Sequence, residues 1–293
     1  MITSPNNDRI KAARKLHSRQ HRRRTGSFLI EGVRLIRDAV QSGYYPETVY
    51  YVRELDSAGG GQGEPQSESQ GEIETELQQL VALLQAKGVE CTPVSSPVLA
   101  SMSQTVTPQG IVAVARVPDL PLSTHSALAL VLDGVSDPGN AGTLLRSAEA
   151  AGAGAAIFGP DAVDPFNDKV VRAGMGAHFR MPLRACATWP EVKSTLKTIM
   201  GGDAPIYAAD AGASLAYDAV DWTIPAVLVI GSEATGISDA ARAVATPISI
   251  PMYGPVESLN AAMAGVVILF EAARQRRNYV QASVDTSESY GVS

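Results

Sequence analysis

Residues 127–146 read ALALVLDGVSDPGNAGTLLR. The first seven, Ala127 to Asp133, are a continuous apolar run of strand length that ends on an acid. Pro138 and Gly139 then turn the chain, and helical spacing begins near Ala141. A strand covered on both faces reads as an unbroken apolar run, not as alternation. Four more such runs follow, at Ala155–Phe158, Ile206–Ala209, Ala226–Ile230 and Ile248–Pro251, with helical stretches between them. This pattern predicts an α/β domain over 127–279, a parallel sheet with helices on both faces. A long helix is predicted over Ser258–Arg277, with Leu259, Met263, Val266 and Phe270 on one side. The polar residues 280–293 read as a flexible tail.

Upstream of this stretch the chain changes character. Residues 117–126 carry two prolines and read as a linker. Residues 1–116 hold short strands at Phe28–Ile30, Thr48–Val52 and Val112–Val117. Helical patterns in the same region cover Ile10–Leu16, Glu31–Ser42 and Leu77–Ala86. A small α/β domain follows from that mixture. Residues 56–76 are Gly, Gln, Ser and Glu with almost nothing apolar, which reads as a flexible insertion. A length of 293 residues fits two domains.

Composition excludes several classes. No apolar run approaches the roughly 18 residues needed to span a bilayer, and no apolar segment follows Met1. Two cysteines, Cys91 and Cys186, cannot build a disulfide framework, so a reducing cytoplasmic setting is expected. His125 and His178 lack metal-ligand spacing with them, so no metal is expected. The net charge of −6 conceals an asymmetry: residues 1–24 hold eight basic residues and one acid, leaving −13 on the other 269. Arg9, Lys11, Arg14, Lys15, Arg19, Arg22, Arg23 and Arg24 thus form a basic arm suited to phosphates.

Ligands of parallel sheets bind beyond the carboxyl ends of the strands. Three strand-end loops carry the candidate chemistry. The first holds Asn140, at a position suited to capping a helix, and Arg146 further along. The second, Ile230-Gly-Ser-Glu-Ala-Thr-Gly236, places Glu233 between two glycines. The third, Ile248 to Asn260, is irregular and ends on Ser258, Leu259 and Asn260, with Ser258 in a capping position. A G-x-G-x-x-G dinucleotide fingerprint is absent, which counts against a nicotinamide-dependent oxidoreductase.

Taken in order, these loops resemble the motifs of the SpoU-type RNA ribose 2′-O-methyltransferases of the SPOUT superfamily. Asp137-Pro-Gly-Asn-Ala-Gly-Thr-Leu-Leu-Arg146 matches the first motif, Val229-Ile-Gly-Ser-Glu-Ala-Thr-Gly-Ile237 the second and Ile250-Pro-Met-Tyr-Gly-Pro-Val-Glu-Ser-Leu-Asn260 the third. The N-terminal region is similar to the ribosomal protein L30e-like substrate-binding domain often fused to this family. That likeness rests on Ile10–Leu16, Gly26–Arg34 and Thr107–Val112.

The resemblance implies a trefoil knot in the C-terminal sheet, S-adenosylmethionine as cofactor, a homodimer and an RNA substrate. Ribosomal (23S) RNA is favoured because of the fused domain. Transfer RNA is the alternative, and a non-catalytic RNA-binding assembly factor a further one. The family pattern places the cofactor against Gly231, Glu233, Ile250, Pro251, Met252, Ser258, Leu259 and Asn260. It assigns catalysis to Arg146 with Asn140, Glu233, Ser258 and Asn260. Lys169 and Arg172 lie in Asp164–Ala177, a further family-like stretch, and are candidate RNA contacts. Family members commonly carry serine where this chain has Gly174.

Overall fold

The computed structural model describes residues 1–53, 68–105, 108–256 and 258–289. The chain forms two compact units, Met1–Pro118 with Phe166–Phe179, and Asp119–Pro165 with the chain from Arg180 onward.

The first unit begins with two short basic helices, α1 (Asp8–Lys15) and α2 (Arg19–Thr25). It continues through β1 (Ser27–Glu31), α3 (Val33–Gln41), β2 (Thr48–Tyr51), α4 (Glu68–Ala86), β3 (Glu90–Pro93), α5 (Ser96–Met102) and β4 (Ile111–Arg116). The sheet order is β1-β4-β2-β3, mixed in direction. The insertion expected over 56–76 lies outside the described residues as far as 67, and from Glu68 it is corrected to helix. Leu77, Leu80, Val81 and Leu84 anchor α4 in the core, and Glu, Gln and Thr upstream let it propagate once nucleated. No regular element lies between Arg116 and Leu128, the stretch read as linker.

The second unit starts with β5 (Leu128–Asp133), α6 (Pro138–Ala150) and β6 (Ala155–Phe158). The next helix, α7 (Asp168–Ala173), departs from the expected domain limits because residues 166–179 pack with the first unit. Val171 and Phe179 share a core with Phe28, Ile30 and Ile36. The Phe166 ring lies 4.9 Å from that of Phe28. The His17 Nδ1 and Asp168 Oδ2 atoms are 2.6 Å apart. Nothing local distinguishes this stretch from the strands and helices around it; apolar burial by a distant sheet decides where it goes.

Past Arg180 come β7 (Leu183–Ala185), α8 (Trp189–Met200), β8 (Ile206–Ala209), β9 (Ala226–Gly231), α9 (Asp239–Arg242), β10 (Thr246–Ile248) and α10 (Ala261–Ser289). All six strands run parallel in the order β10-β8-β9-β5-β6-β7. Both faces of the central strands are buried. Ala129, Val131, Val227 and Val229 pack with Trp189, Val192 and Leu196 of α8. The opposite face meets α6 and α10: a Cβ built on Gly265 of α10 would fall 2.3 Å from Leu144 and 3.3 Å from Ile230. A larger residue there would force the Leu144 side chain to move.

Two boundaries shift. The last strand ends at Ile248 and not at Pro251, and the described chain beyond it is irregular up to Ala261. Its Pro247 is tolerated because β10 is an edge strand, where a missing N–H costs no ladder bond. The final helix begins at Ala261 and continues to Ser289, so the expected tail over 280–293 is helical as far as it is described.

Candidate active site

At the carboxyl ends of β8, β9 and β10 lies a cavity of about 550 Å³. Ile230, Ile237, Ile250 and Leu259 give it apolar walls, and Glu233, Ser258 and Asn260 supply polar groups. Its size falls within the ~300–1,000 Å³ of pockets that enclose small organic ligands. Of the residues assigned to the cofactor from sequence, Gly231, Glu233, Ile250, Met252, Ser258, Leu259 and Asn260 line it, whereas Pro251 does not.

The three loops meet through their side chains. Asn140 Nδ2 donates to Glu233 Oε1 at 2.6 Å, and Asn260 Nδ2 donates to Asn140 Oδ1 at 3.2 Å. Asn260 Oδ1 in turn accepts the backbone N–H groups of Ala262 and Met263 at 2.9 and 3.2 Å. A continuous chain of hydrogen bonds therefore joins the loop after β9, the start of α6 and the start of α10. Each amide has both ends occupied, which fixes its orientation.

Capping explains how these groups come free. Asp137, not Asn140, is the N-cap of α6: its carboxylate accepts the Asn140 N–H at 2.8 Å. Asn140 sits in the first turn with its amide available for Glu233. Likewise Asn260, not Ser258, holds the first N–H groups of α10, and Ser258 is left facing the cavity. Both assignments correct the capping roles read from sequence.

Gly231 is also required for a reason different from ligand approach. A Cβ there would lie 2.4 Å from the Gly236 carbonyl carbon and 2.5 Å from the Ile237 nitrogen. The loop folds back so tightly that Ser232 and Gly236 exchange two backbone hydrogen bonds of 2.9 Å. Gly236 completes this turn at φ +70°, in the left-handed region that glycine tolerates. Beneath it, Asp133 is 2% exposed. Its Oδ1 accepts Trp189 Nε1 at 3.0 Å and Ser238 Oγ at 3.1 Å, and its Oδ2 accepts the Ser238 N–H at 2.7 Å. The acid that ends the deciding strand thus clamps the far side of the Glu233 loop. Sequence reading missed that role because Trp189 and Ser238 are distant along the chain.

Arg146 stands apart from the cavity wall, exposed on α6. Among the described residues no carboxylate pairs with it. Sequence reading also passed over Asp210 and Arg242, which line the cavity and form a 2.7 Å ion pair. Asp210 directly follows β8, the strand-end position that pointed to the other three loops.

In the first unit, Lys11, Arg14 and Lys15 line a shallow basin of about 500 Å³ with Ser101, Ser103 and Gln104. Arg19, Arg23 and Arg24 are exposed beside them in sequence. Arg9 is exposed too, but it pairs with Glu90 at 2.7 Å and lies over the Tyr50 ring. Arg22 is a correction: it is 4% exposed and donates to the Leu16 and His17 carbonyls at 2.8 Å each, which ties α1 to α2. Lys169 is exposed, and Arg172 approaches Glu31 at 3.9 Å. At Gly174 an added Cβ would come within 2.8 Å of the His178 ring, so this packing has no room for a serine.

Arg22→Ala is expected to destabilise the first unit by about 2 kcal/mol, since one buried and one half-buried carbonyl lose their donor. Arg23→Ala and Arg24→Ala should leave the melting temperature within about 1 °C, because exposed side chains contribute little. Thermal melts of the three variants check this.

Among the described residues, no cluster of three or more metal-ligating side chains is arranged to hold a metal ion. None of the described helices is long and apolar enough to cross a membrane.

Residues 127–270 match the SpoU rRNA Methylase family, and residues 7–113 match the MRM3-like substrate binding domain. The 23S rRNA (guanosine(2553)-2′-O)-methyltransferase RlmP of Bacillus subtilis is 30% identical over 92% of this chain and 97% of its own length. The human mitochondrial rRNA methyltransferase 3 is 31% identical over 89% of this chain and 70% of its own. The crystal structure of the SpoU methyltransferase AviRb from Streptomyces viridochromogenes, in complex with AdoMet, superposes with a TM-score of 0.75 at 31% identity. That match covers 93% of this chain and all of the other. With the sheet order, the three joined loops and both halves matched at this level, the chain belongs to the SpoU rRNA methylase family.

Proposed function

We propose that the protein is an S-adenosylmethionine-dependent methyltransferase that modifies a ribose 2′-hydroxyl of RNA, with 23S ribosomal RNA as the substrate. The observation that carries this reading is the hydrogen-bonded chain Glu233–Asn140–Asn260, which converts three separate strand-end loops into one site beside the cavity. The cavity suits the cofactor, with apolar walls for a flat base and a polar rim for hydroxyl and amino groups. When bound, the cofactor supplies an electrophilic methyl group on a sulfonium.

The protein's own residues do the positioning. Asn140 and Glu233 present fixed polar atoms at the edge of the cavity, locked through Asn260 to α10. Ser258 and Leu259 close one side of it. Arg146 offers a planar fork of donors to the phosphate next to the target ribose and offsets the negative charge on the 2′-oxygen as its proton passes to water. It does not act as a base, because a guanidinium stays protonated at any physiological pH. Lys11, Arg14, Lys15, Arg19, Arg23 and Arg24 grip RNA phosphates, and Lys169 extends that set. The fused first unit favours ribosomal over transfer RNA, because such domains recognise folded stem-loop shapes. The same reading includes the family's knot and a cytoplasmic setting.

It also includes a homodimer. Met263, Val267 and Phe270 are 53, 37 and 48% exposed, an apolar stripe at helical spacing along α10, and Leu259, just before the helix, is 39% exposed. Val267, not Val266, belongs to it, since Val266 is half-buried. The double substitution Met263→Glu and Phe270→Glu is expected to give a folded monomer, read by sedimentation equilibrium at micromolar concentration.

The central test is transfer of labelled methyl to RNA, followed by mapping of the modified nucleotide. Methylation of 23S RNA at one ribose supports the reading. A protein that binds the cofactor yet methylates no ribosomal or transfer RNA overturns it.

A further inference from the structure

Two carboxylates line the cavity, and only Glu233 is engaged with the loop network described above. The other, Asp210, is the first residue after β8. Its backbone N–H donates to the Ile248 carbonyl at 2.9 Å, fixing it against β10. Its Oδ2 accepts Arg242 Nη1 at 2.7 Å, and its Oδ1 accepts the Gly212 N–H at 3.0 Å. A carboxylate has about four lone-pair sites. Each Asp210 oxygen therefore keeps one acceptor site, and the side chain is 24% exposed.

Position along the sheet separates Asp210 from the loop that carries Asn140 and Arg146. The strand order places β10, β8, β9 and β5 side by side. Asn140 and Arg146 follow β5, Glu233 follows β9 and Asp210 follows β8. Asp210 thus lies two strand spacings, about 10 Å, from the strand that leads to the methyl-acceptor side. Its chain neighbours in the wall, Ala209 and Ala211, are small and apolar, and Arg242 is the cation it pairs with, so it is the carboxylate at that end of the cavity. Arg242 holds the carboxyl below its ordinary range, chiefly through the direct hydrogen bond, so it is present as an acceptor and not as a donor.

We propose that Asp210, fixed in place by Arg242, accepts hydrogen bonds from the ribose hydroxyls of the cofactor's nucleoside. This rests on the cofactor assignment made above and names the group that reads its non-reacting end. Arg242 is a positioning residue that acts through Asp210.

Titration calorimetry with four probes tests it: S-adenosylhomocysteine, methylthioadenosine (which lacks the amino-acid end) and the 2′- and 3′-deoxy forms of methylthioadenosine. Wild type is expected to bind at least one deoxy form about tenfold to a hundredfold more weakly than the parent, the range of a hydrogen bond to a charged group. Asp210→Asn should weaken S-adenosylhomocysteine and methylthioadenosine by a similar factor, while leaving that deoxy form nearly unchanged. Arg242→Leu should show the same ligand-selective loss, which a general weakening of the fold would not produce. The wild-type series needs no variant to fold.

Equal binding of parent and deoxy forms by wild type overturns the proposal. So does a loss in Asp210→Asn confined to S-adenosylhomocysteine, which would place the carboxylate at the ammonium end instead. Failure of wild type to bind any of the probes overturns the cofactor reading as well, and is distinguishable on that ground.

Discussion

Arg146→Ala is expected to reduce the rate of methyl transfer about 10²–10³-fold while cofactor affinity stays within about twofold, a loss typical of removing one preorganised charged donor. The separation follows from position. Arg146 is exposed on α6 and outside the cavity wall, so its removal leaves Ile250, Leu259 and Asn260 around the cavity undisturbed. It lies on the same helix as Asn140, whose amide is locked to Glu233 and Asn260, so the helix that carries it is held at its first turn. No carboxylate among the described residues competes for its guanidinium, which leaves the donor fork for a phosphate. Arg146→Lys keeps the charge and loses the bidentate geometry, so an intermediate loss of about tenfold is expected. Single-turnover methylation together with calorimetry measures both quantities. Transfer within threefold of wild type in the alanine variant would falsify the clamp.

Gly231→Ala is expected to be the most damaging single-methyl substitution in the second unit. The new Cβ would meet backbone on the facing side, at 2.4–2.5 Å from Gly236 and Ile237. A side chain could rotate away from such a collision; two strands of backbone tied by reciprocal 2.9 Å hydrogen bonds between Ser232 and Gly236 have no such freedom. Relief requires opening that turn, which also carries Glu233. A destabilisation of about 3 kcal/mol, the upper part of the overpacking range, is expected. Cofactor affinity should fall more than tenfold, because Gly231, Glu233 and Gly236 all line the cavity. Gly236→Ala is the contrast. Nothing lies within 4 Å of its added Cβ, and its cost comes from φ +70° alone. About 1–2 kcal/mol is expected there. Thermal melts with and without S-adenosylhomocysteine compare the two, and an equal effect of both substitutions would show that crowding is not what demands Gly231.

Much of the second unit was legible because its signals are local. Apolar runs at 155–158, 206–209 and 226–230 became β6, β8 and most of β9, since a strand buried on both faces needs apolar side chains at every position. The short β3, β7 and α5 were not, because Glu90–Pro93 and Leu183–Ala185 carry mixed residues whose strand state comes from pairing with β2 and β6. In the basic arm, charge alone did not separate Arg22 from Arg23. Adjacent residues on a helix point about 100° apart, and only the packing of α1 on α2 turns one inward.

The order of three loops in the sequence established which residues gather at the site: Asn140, Glu233, Ser258 and Asn260, with Arg146 nearby in the chain. That much is covalent, since strand-end loops of a parallel sheet fall on one edge whatever their detailed conformation. The tertiary structure decided what each group does there. Asp137 takes the cap of α6, so Asn140 can reach Glu233, and Asn260 takes the cap of α10, so Ser258 faces the cavity. Asp133 clamps the loop from below, and Asp210 enters the wall paired with Arg242. A hydrogen bond needs its partners within about 3 Å and well aligned. For side chains about 90–120 positions apart in the chain, only the folded backbone sets that distance.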